Sequence, residues 1–316
     1  MISLSEIRAA RARITPPILT TPVTYDPDLQ VWLKWESRQI TGSFKPRGAL
    51  NKVLSLPPER RAAGLVAASA GNHGQGVALA GKQVGAMVTV YASEQASPLK
   101  VAKMRALGAE VILLPGRYGV VEAVAIRAAR ESGRTYVSPY NDRQVMAGAG
   151  TLGLEVWEQV PGLEQTLIPA GGGGLLGGTG SALKQLNPAM QVIAVQNETS
   201  AYLYTDFHGG DMATVLEEDS LADGLSGAVE PGSTTVPLMH EVTDDFLLVS
   251  EAEIARAIVY AWERHGERLE GSGAVGLAAV LAGKVETGPV TVIVVSGGNI
   301  DEDIHARVLR EFPSLP

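Results

Sequence analysis

A lysine with unusual neighbours is the first residue whose setting indicates chemistry. Lys45 lies in residues 41–49 (TGSFKPRGA), directly after Phe44 and before Pro46 and Arg47. An amine that loses solvation beside an aromatic ring and a second cation has a lowered pKa, and a neutral amine is the nucleophile that forms Schiff bases. The alternative is a solvated lysine in a surface turn, which is the usual state of this residue type.

A run of glycines supplies the second candidate site. Four of them, Gly171, Gly172, Gly173 and Gly174, stand directly before Leu175. Consecutive glycines are costly in conformational entropy and are expected where the backbone must approach another group closely. Between a strand and a helix, their N–H groups suit a phosphate. The tract also satisfies G-x-G-x-x-G, with Glu198 about 20 residues further on, so a dinucleotide site remains an alternative.

Two further loops carry groups that bind small molecules. Residues 69–74 (SAGNHG) offer a hydroxyl, an amide, an imidazole and the free N–H groups of a helix start, which together suit a carboxylate. Residues 296–299 (SGGN) follow an apolar strand, and the Ser296 hydroxyl there can bond a ligand heteroatom. Read individually, an N-cap turn and an ordinary turn are the alternatives for these two loops.

Alternating strands and helices must position these loops. The hydrophobic pattern predicts a first helix over residues 5–14 and a strand over 31–36, before the lysine. After the lysine it predicts strands at 65–68, 87–91, 111–114 and 135–137, with helices at 74–84, 98–107 and 120–130. A second series has strands at 167–170, 192–195 and 291–295, with helices at 144–159, 175–186, 251–265 and 273–282.

This alternation predicts open parallel sheets with helices on both faces, which is an α/β fold. Ligands of such sheets bind at the carboxyl ends of the strands, where the glycine run, the 69–74 loop and the 296–299 loop would meet. Residues 205–237 are rich in Gly, Asp, Ser and Pro, and we expect an irregular segment that lines the site.

Composition excludes several classes of protein. The 316 residues carry a net charge of -8, which disfavours nucleic acids and anionic membranes as partners. The sequence has no cysteine, so disulfides, thiolate metal sites and cysteine nucleophiles are excluded. Its first residues carry charges where a signal peptide is apolar, and its five histidines show no zinc spacing. We expect a cytoplasmic protein.

Taken together, the four motifs resemble a known family. The pattern K-x-E-x-x-Q-x-T-G-S-F-K-x-R-G-A matches at Lys34, Glu36, Gln39 and residues 41–49, and the other three loops follow in the same order. The chain is similar, over nearly its whole length, to the fold-type-II pyridoxal-phosphate enzymes that include threonine/serine dehydratases and serine racemase. The resemblance implies two open α/β domains with the cofactor in the cleft between them.

The resemblance assigns a role to each motif. Lys45 would hold pyridoxal 5'-phosphate through a Schiff base and abstract the substrate α-proton. Cofactor contacts would come from Phe44, Asn72, Gly171, Gly172, Gly173, Gly174, Leu175 and Ser296, with Asn72 on the phenolic oxygen and Ser296 on the pyridine nitrogen. Ser69, Gly71, Asn72 and His73 would orient the substrate carboxylate. Because a neutral serine cannot hold a proton on the pyridine nitrogen, the ring is a poorer electron sink, which favours elimination.

The chain departs from this family at several positions. Racemases of the group carry a serine after the residue equivalent to Ser69, and this chain has Ala70, which cannot donate a proton. The family's divalent-metal site begins with a carboxylate where this chain has Gln196, followed by Ser200 and Tyr202. Hard cations prefer carboxylate oxygens, so no metal site is predicted unless Glu198 or Asp206 substitutes. Asp223 matches a family loop near the cofactor, and Glu270 approximates an acidic position near the ring.

The resemblance implies a lyase that removes water and then ammonia from a 3-hydroxy amino acid of the L-threonine/L-serine type, through an enamine, to give a 2-oxo acid. The alternatives are a dehydratase of a bulkier hydroxy amino acid, as in hydroxyectoine breakdown, a serine racemase and, outside this class, a dinucleotide-binding oxidoreductase. Residues 1–63 and 142–316 would form the large cofactor-binding domain and residues 64–141 the small one. A homodimer is usual in this family.

Overall fold

The computed structural model describes residues 1–288 and 290–312, so the predicted limit of the large domain at residue 316 lies outside the described part. The strands are β1 Val23–Asp26, β2 Val31–Trp35, β3 Leu65–Ala68, β4 Val88–Ser93, β5 Glu110–Leu114, β6 Thr135–Tyr136, β7 Gln165–Pro169, β8 Gln191–Asn197, β9 Asp245–Val249 and β10 Thr291–Val295. The helices are α1 Leu4–Ile14, α2 Lys45–Ser55, α3 Pro58–Ala63, α4 Asn72–Val84, α5 Pro98–Ala106, α6 Tyr118–Ser132, α7 Arg143–Gln159, α8 Gly174–Leu186, α9 Tyr202–Phe207, α10 Thr235–Val242, α11 Glu251–His265, α12 Gly271–Leu281 and α13 Glu302–Glu311.

The strands form two sheets. The larger has the order β1-β2-β10-β7-β8-β9 and the smaller the order β5-β4-β3-β6. Neighbouring strands are parallel in both sheets, except that β1 pairs antiparallel with β2. Two open, essentially parallel sheets confirm the predicted fold class. None of the helices formed by the described residues has both the length and the apolarity that a bilayer span requires.

Helices cover both faces of the larger sheet. Strand β10 shows why, since Val292 and Val294 pack on one side with α1, α7, α8 and α10, whereas Ile293 and Val295 pack on the other with α11, α12 and α13. Alternate residues of a strand point to opposite faces, and a strand that is apolar at every position must be covered twice. The five residues of β10 are all buried.

The smaller sheet is also covered on both faces. Helices α2, α4 and α5 pack on one side and α6 on the other. All four of its strands lie within residues 64–141. The apolar side chains of α2, which precedes residue 64, belong to the same core as α4. The predicted domain limits therefore remain a prediction, because α2 joins the two sheets in the packing.

Most elements begin and end within a few residues of their predicted limits. The exceptions are β1, β9, α3, α9, α10 and α13, which the hydrophobic pattern did not predict. Residues 205–237 are irregular as expected, apart from the end of α9, two short 3-10 turns and the start of α10 at Thr235. Five of these six elements have eight residues or fewer, too few to establish a hydrophobic period, whereas the ten-residue α13 is amphipathic.

A network of buried charges joins β2, α2 and α7. Arg47, on α2, donates from Nε and Nη2 to Glu36 at 2.7 and 2.8 Å and from Nη1 and Nη2 to Glu155 at 2.7 and 2.9 Å. Lys34 donates to the same Glu155 at 2.7 Å. Lys34, Glu36 and Arg47 have no solvent exposure. Buried charges are tolerated only when each is paired, so this network fixes the three elements relative to one another.

We expect Glu155→Gln to lower the free energy of unfolding by about 3 kcal/mol, because Arg47 and Lys34 would share one buried carboxylate instead of two. Glu158→Gln is the matched control on the same helix. Its carboxylate is 56% exposed and pairs with Arg11, so we expect a change within about 0.5 kcal/mol. Urea unfolding of the two variants measures both values. Equal losses would show that the buried network contributes no more than a surface ion pair.

Candidate active site

The carboxyl ends of the two sheets open onto one cleft of about 930 Å³. Every residue that the sequence predicted for cofactor or substrate lies along it: Phe44, Lys45, Ser69, Gly71, Asn72, His73, Gly171, Gly172, Gly173, Gly174, Leu175 and Ser296. The structure thus brings together four loops that lie far apart in the sequence. A cleft of this size accommodates a cofactor and a small substrate together.

Lys45 stands where α2 begins. A proline disfavours the helical conformation at the residue before it, yet Lys45 is itself the first residue of α2. In the first turn of a helix the missing N–H of a proline would have no intrahelical partner in any case. The helix can therefore start at the residue before the proline. The Phe44 N–H donates to the Ser296 carbonyl oxygen at 3.0 Å, which ties the lysine to the end of β10.

The lysine amine is in a poorly solvated position. Its Nζ donates to the Pro139 carbonyl oxygen at 3.3 Å and lies 5.0 Å from the centroid of the Phe44 ring. Burial lowers the pKa of Lys45 to about 8, although the negative charge of Glu270 acts in the opposite direction. The sequence-based explanation is partly wrong, because Arg47 turns away into its own ion pairs and does not repel Lys45. Loss of water alone makes this amine a nucleophile near neutral pH.

The glycine run has the geometry of an anion cradle. Gly173 has a φ of +84°, and a Cβ there would lie 2.9 Å from Cβ of Thr235. A Cβ at Gly172 would lie 2.4 Å from the Tyr140 ring. Helix α8 starts at Gly174, so the N–H groups of its first turn have no intrahelical acceptor. Within the described chain no other acceptor engages those N–H groups, and they remain available to a phosphate.

The 69–74 loop presents main-chain donors more than side chains. The Ser69 Oγ accepts from the Gly71 N–H at 3.0 Å, and α4 begins at Asn72. His73 differs from its predicted role, because its Nε2 contacts the Val137 carbonyl oxygen at 2.8 Å. Burial lowers the pKa of His73 to about 3, so the imidazole is neutral and donates away from the substrate. The N–H groups at the start of α4 are the better partners for a carboxylate.

Asn72 belongs to a chain of polar side chains along the cleft. Its Nδ2 donates to Glu270 Oε1 at 2.6 Å, and its Oδ1 accepts from Asn299 Nδ2 at 2.7 Å. Burial and the negative charge of Asp223 raise the pKa of Glu270 to about 7. Glu270 therefore exchanges a proton near neutrality, within the electrostatic field of Lys45. Sequence reasoning noted Glu270 only as an acidic position and did not anticipate its bond to Asn72.

Contacts from α5 and from its N-cap residue, Ser97, cross the cleft to the larger sheet. Ser97 donates to Asp301 at 2.7 Å, Lys100 to Asp223 at 2.8 Å, and Lys103 to Asn299 at 2.9 Å. Sequence reasoning missed all three donors. The only signal in the sequence was their spacing of three, which places them on one face of a helix. This face holds α5 against the larger sheet.

The Ser296 hydroxyl is buried, with 4% of the residue exposed, and donates to the Ser272 carbonyl oxygen at 3.3 Å. This bond is long for a hydroxyl donor, so the hydroxyl can turn to a ligand nitrogen at little cost. A reactive amine, an anion cradle and a neutral hydroxyl on one cleft fit pyridoxal phosphate: Lys45 matches its aldehyde, the glycine N–H groups its phosphate, and Ser296 its ring nitrogen.

The side chains that the sequence analysis considered for a metal site are bonded within the protein. Gln196 Oε1 accepts from the Tyr204 N–H at 3.1 Å, and Ser200 Oγ accepts from the Gly227 N–H at 3.2 Å. Asp206 pairs with His240 at 2.9 Å. Glu198 lies 3.9 Å from Lys284 Nζ. The two carboxylates that were considered as substitutes thus have different partners in this structure.

Two α/β sheets that share a cleft with a desolvated lysine and a glycine cradle are the arrangement expected of an enzyme with a phosphate-bearing aldehyde cofactor. The family model of pyridoxal-phosphate-dependent enzymes matches residues 14–297, and the chain belongs to this family. The predicted family, cofactor and enzyme class, a pyridoxal-phosphate-dependent lyase, are confirmed. The dinucleotide-binding alternative is set aside, because the glycine run belongs to this family's fold.

Individual relatives agree with this assignment. An L-threonine ammonia-lyase of Thermotoga maritima is 39% identical, over 98% of this chain and 79% of the length of the ammonia-lyase. The solved structure of a threonine deaminase from T.th. is 36% identical in sequence. The match covers 95% of this chain and 99% of the deaminase chain, with a TM-score of 0.85. Maize serine racemase is 30% identical over 98% of this chain and 97% of its own, with a TM-score of 0.89.

The attachment of the cofactor should depend on the lowered pKa of Lys45. When pyridoxal phosphate is added to the apoenzyme, we expect the attachment rate to rise about tenfold per pH unit below pH 8 and to level off above it, since only the neutral amine attacks. Stopped-flow absorbance measures the rate. The same series with Nα-acetyl-lysine shows the profile of an unperturbed lysine and includes titration of the cofactor. A rate for the protein that rises in parallel with that of Nα-acetyl-lysine up to pH 10 would mean that Lys45 has an ordinary pKa.

Gly173→Ala should weaken cofactor binding at least tenfold, because its Cβ would push against Thr235 and displace the N–H groups of the cradle. Gly85→Ala is the matched control. Gly85 also has a positive φ, +67°, and a Cβ there meets no atom within 4 Å. Both variants carry the same backbone strain of about 1 kcal/mol. Cofactor affinity is measured by fluorescence titration. Equal affinity in the two proteins would show that the glycine run does not bind the cofactor.

Proposed function

We propose that this chain removes water and then ammonia from a 3-hydroxy amino acid of the L-threonine/L-serine type and releases a 2-oxo acid. The observation that carries the proposal is the pairing of a desolvated lysine at Lys45 with a neutral hydroxyl at Ser296 across one cleft. The relatives named threonine ammonia-lyase and threonine deaminase support the same chemistry. Pyridoxal phosphate, when bound, supplies the electron sink that allows the α-proton to leave.

The side chains of the cleft then have separate tasks. The neutral Nζ of Lys45 takes the proton from the substrate α-carbon, for which a pKa of about 8 is well matched. The N–H groups of the glycine run and of Leu175 would hold the phosphate, and Phe44 would pack beside the ring. The Ser296 hydroxyl would form a hydrogen bond to the ring nitrogen without carrying charge. A neutral partner at this position would favour loss of the β-hydroxyl.

The substrate carboxylate binds at the loop of Ser69, Gly71, Asn72 and His73. Two of these residues act through the main chain, since the Ser69 hydroxyl is bonded to Gly71 and the His73 imidazole to Val137. Asn72 also holds Glu270, whose pKa of about 7 lets it exchange a proton beside the cofactor ring. This arrangement fixes the α-carbon in front of Lys45.

Racemase activity is the less favoured alternative. Racemisation needs a second acid on the face of the α-carbon opposite the lysine, and the residue after Ser69 is Ala70, which carries no proton donor. Maize serine racemase shares the fold, so the fold alone does not separate the two activities. The bulkier hydroxy amino acid, such as one from hydroxyectoine breakdown, remains an alternative within the dehydratase class.

The domain organisation, the oligomeric state and the location of the enzyme are also proposed. We propose residues 1–63 and 142–316 as the cofactor domain and 64–141 as a small domain whose approach excludes water from the cleft. The resemblance to the family supports a homodimer. The composition supports a cytoplasmic location and no nucleic-acid partner.

Purified holoenzyme should convert L-serine or L-threonine to equal amounts of 2-oxo acid and ammonia, with no D-amino acid. Lys45→Ala should lower turnover by more than about a thousandfold, because both the cofactor linkage and the base are lost. Borohydride reduction followed by peptide mapping should place the cofactor on Lys45 in the wild-type protein alone. D-serine as the main product, or an adduct on another lysine, would contradict the proposal.

A further inference from the structure

One wall of the cleft carries tyrosines and carboxylates that the proposed mechanism does not use. Glu122 Oε1 accepts from Tyr118 OH and from Tyr136 OH, both at 2.9 Å. Tyr140 OH accepts from the Glu230 N–H at 3.0 Å. Tyr118, Glu122, Tyr136, Tyr140 and Glu230 are called the tyrosine–acid cluster here. Tyr118 and Tyr140 line the cleft itself.

The cluster is close to the reacting groups. Pro139, the residue before Tyr140, provides the carbonyl oxygen that accepts from Lys45 Nζ at 3.3 Å. On the other side of the cluster, a Cβ at Gly227 would lie 3.6 Å from Cδ1 of Tyr118, so the Tyr118 ring packs against the irregular segment, residues 205–237. Tyr118 and Tyr140 thus border the cleft near the Pro139 carbonyl and the irregular segment, where a substrate side chain longer than the β-carbon could extend.

The charge of the cluster is not balanced by the protein. Glu122 is only 9% exposed, and the charged group that acts on it is a second acid, Glu230, which adds to burial in raising its pKa. In the described part of the chain, neither carboxylate forms an ion pair with a lysine, arginine or histidine. Arg117, next to Tyr118, instead donates to the Glu217 carbonyl oxygen at 3.3 Å. A buried carboxylate without a cation is costly in its charged form, and a cationic ligand would offset that cost.

A separate observation also indicates a missing ligand group. The Ser226 hydroxyl lies in the cleft lining beside Gly227, and its oxygen is buried without a hydrogen-bond partner among the described residues. Buried hydroxyls are nearly always bonded, and an orphan one in a cleft wall is explained by a ligand. A hydroxyl oxygen is an acceptor for an N–H donor.

We propose that the substrate side chain ends in a cationic nitrogen group, an ammonium or an amidinium, which lies against the rings of Tyr118 and Tyr140 with Glu122 and Glu230 behind them. The inference rests on the proposed dehydratase function and, within it, favours the bulkier alternative, a 3-hydroxy amino acid with a longer and charged side chain, over L-serine and L-threonine. Cations bind the faces of tyrosine rings, more strongly when both are out of water, and carboxylates behind the rings reinforce the attraction. The Ser226 hydroxyl accepts one N–H of the group.

The test compares two substrates of equal shape on the holoenzyme. 3-Hydroxyornithine and 3-hydroxynorleucine of the same configuration differ only in a terminal ammonium or methyl group. We expect kcat/KM to be at least about tenfold higher for the cationic member, mainly through KM, from contact with the tyrosine rings. Glu122→Gln keeps an acceptor for both tyrosines and removes the charge. We expect it to lower the cationic-to-neutral ratio about tenfold.

Glu131→Gln is the matched control, since Glu131 lies on the same helix, α6, and is exposed. It should leave the ratio unchanged. A wild-type ratio of one or less, or a ratio that Glu122→Gln does not alter, would overturn the proposal. If the Glu122→Gln protein does not fold, the ratio of the kcat/KM values for the two substrates on the wild-type enzyme decides the proposal.

A failure of the dehydratase proposal is distinguishable. If no 3-hydroxy amino acid is turned over, calorimetric titration of the holoenzyme with L-ornithine and L-norleucine, which lack the leaving hydroxyl, still tests the cation site. Tighter binding of ornithine would support the site without the reaction, and equal affinities would reject it. Turnover of L-threonine together with equal kcat/KM for the charged and neutral pair would reject the cation site and keep the dehydratase.

Discussion

The ion pairs of Arg47 are the constraint on which the active lysine depends. Arg47 follows Lys45 by two positions in the first turn of α2, and all three of its guanidinium nitrogens donate to Glu36 or Glu155. A rotation or shift of this turn would leave buried charges unpaired, which costs several kcal/mol. The network therefore fixes the direction in which Lys45 projects. It connects the motif residues Lys34 and Glu36 on β2 with α7, so the fold and the site share one set of bonds.

The same network explains why the pKa values of Lys45 and Arg47 shift in opposite directions. Arg47 is charged because two carboxylates surround it, and their charge raises its pKa further. Lys45 has no such partner within bonding distance and loses water on entering the cleft, so its pKa falls to about 8. Residues i and i+2 of a helix point to nearly opposite sides, which keeps the two environments apart. One turn of helix thus carries a structural cation and a reactive amine.

The sequence was informative where local patterns decide structure. Strands such as β10, apolar at every position, and the glycine run before α8 each specify a local structure, and their order placed Lys45, Asn72 and Ser296 on one cleft. The sequence was uninformative about side-chain direction. The pairing of Arg47 with Glu36 and Glu155, the turn of the His73 imidazole toward Val137, and the bond between Asn72 and Glu270 depend on tertiary contacts. In each case the residue was singled out, but its partner came from another element.

The cleft divides its tasks between the two sheets, and this division bears on specificity. Loops of the larger sheet carry the glycine cradle and Ser296, whereas the 69–74 loop and the start of α6 line the cleft from the smaller sheet. Helix α5 joins the halves through Ser97, Lys100 and Lys103. Because Lys45 is desolvated, charge interactions in this part of the cleft are stronger than in water. Since the 69–74 loop and α6 belong to a separate sheet, we expect substitutions there to change which side chain is accepted without moving the lysine or the cradle.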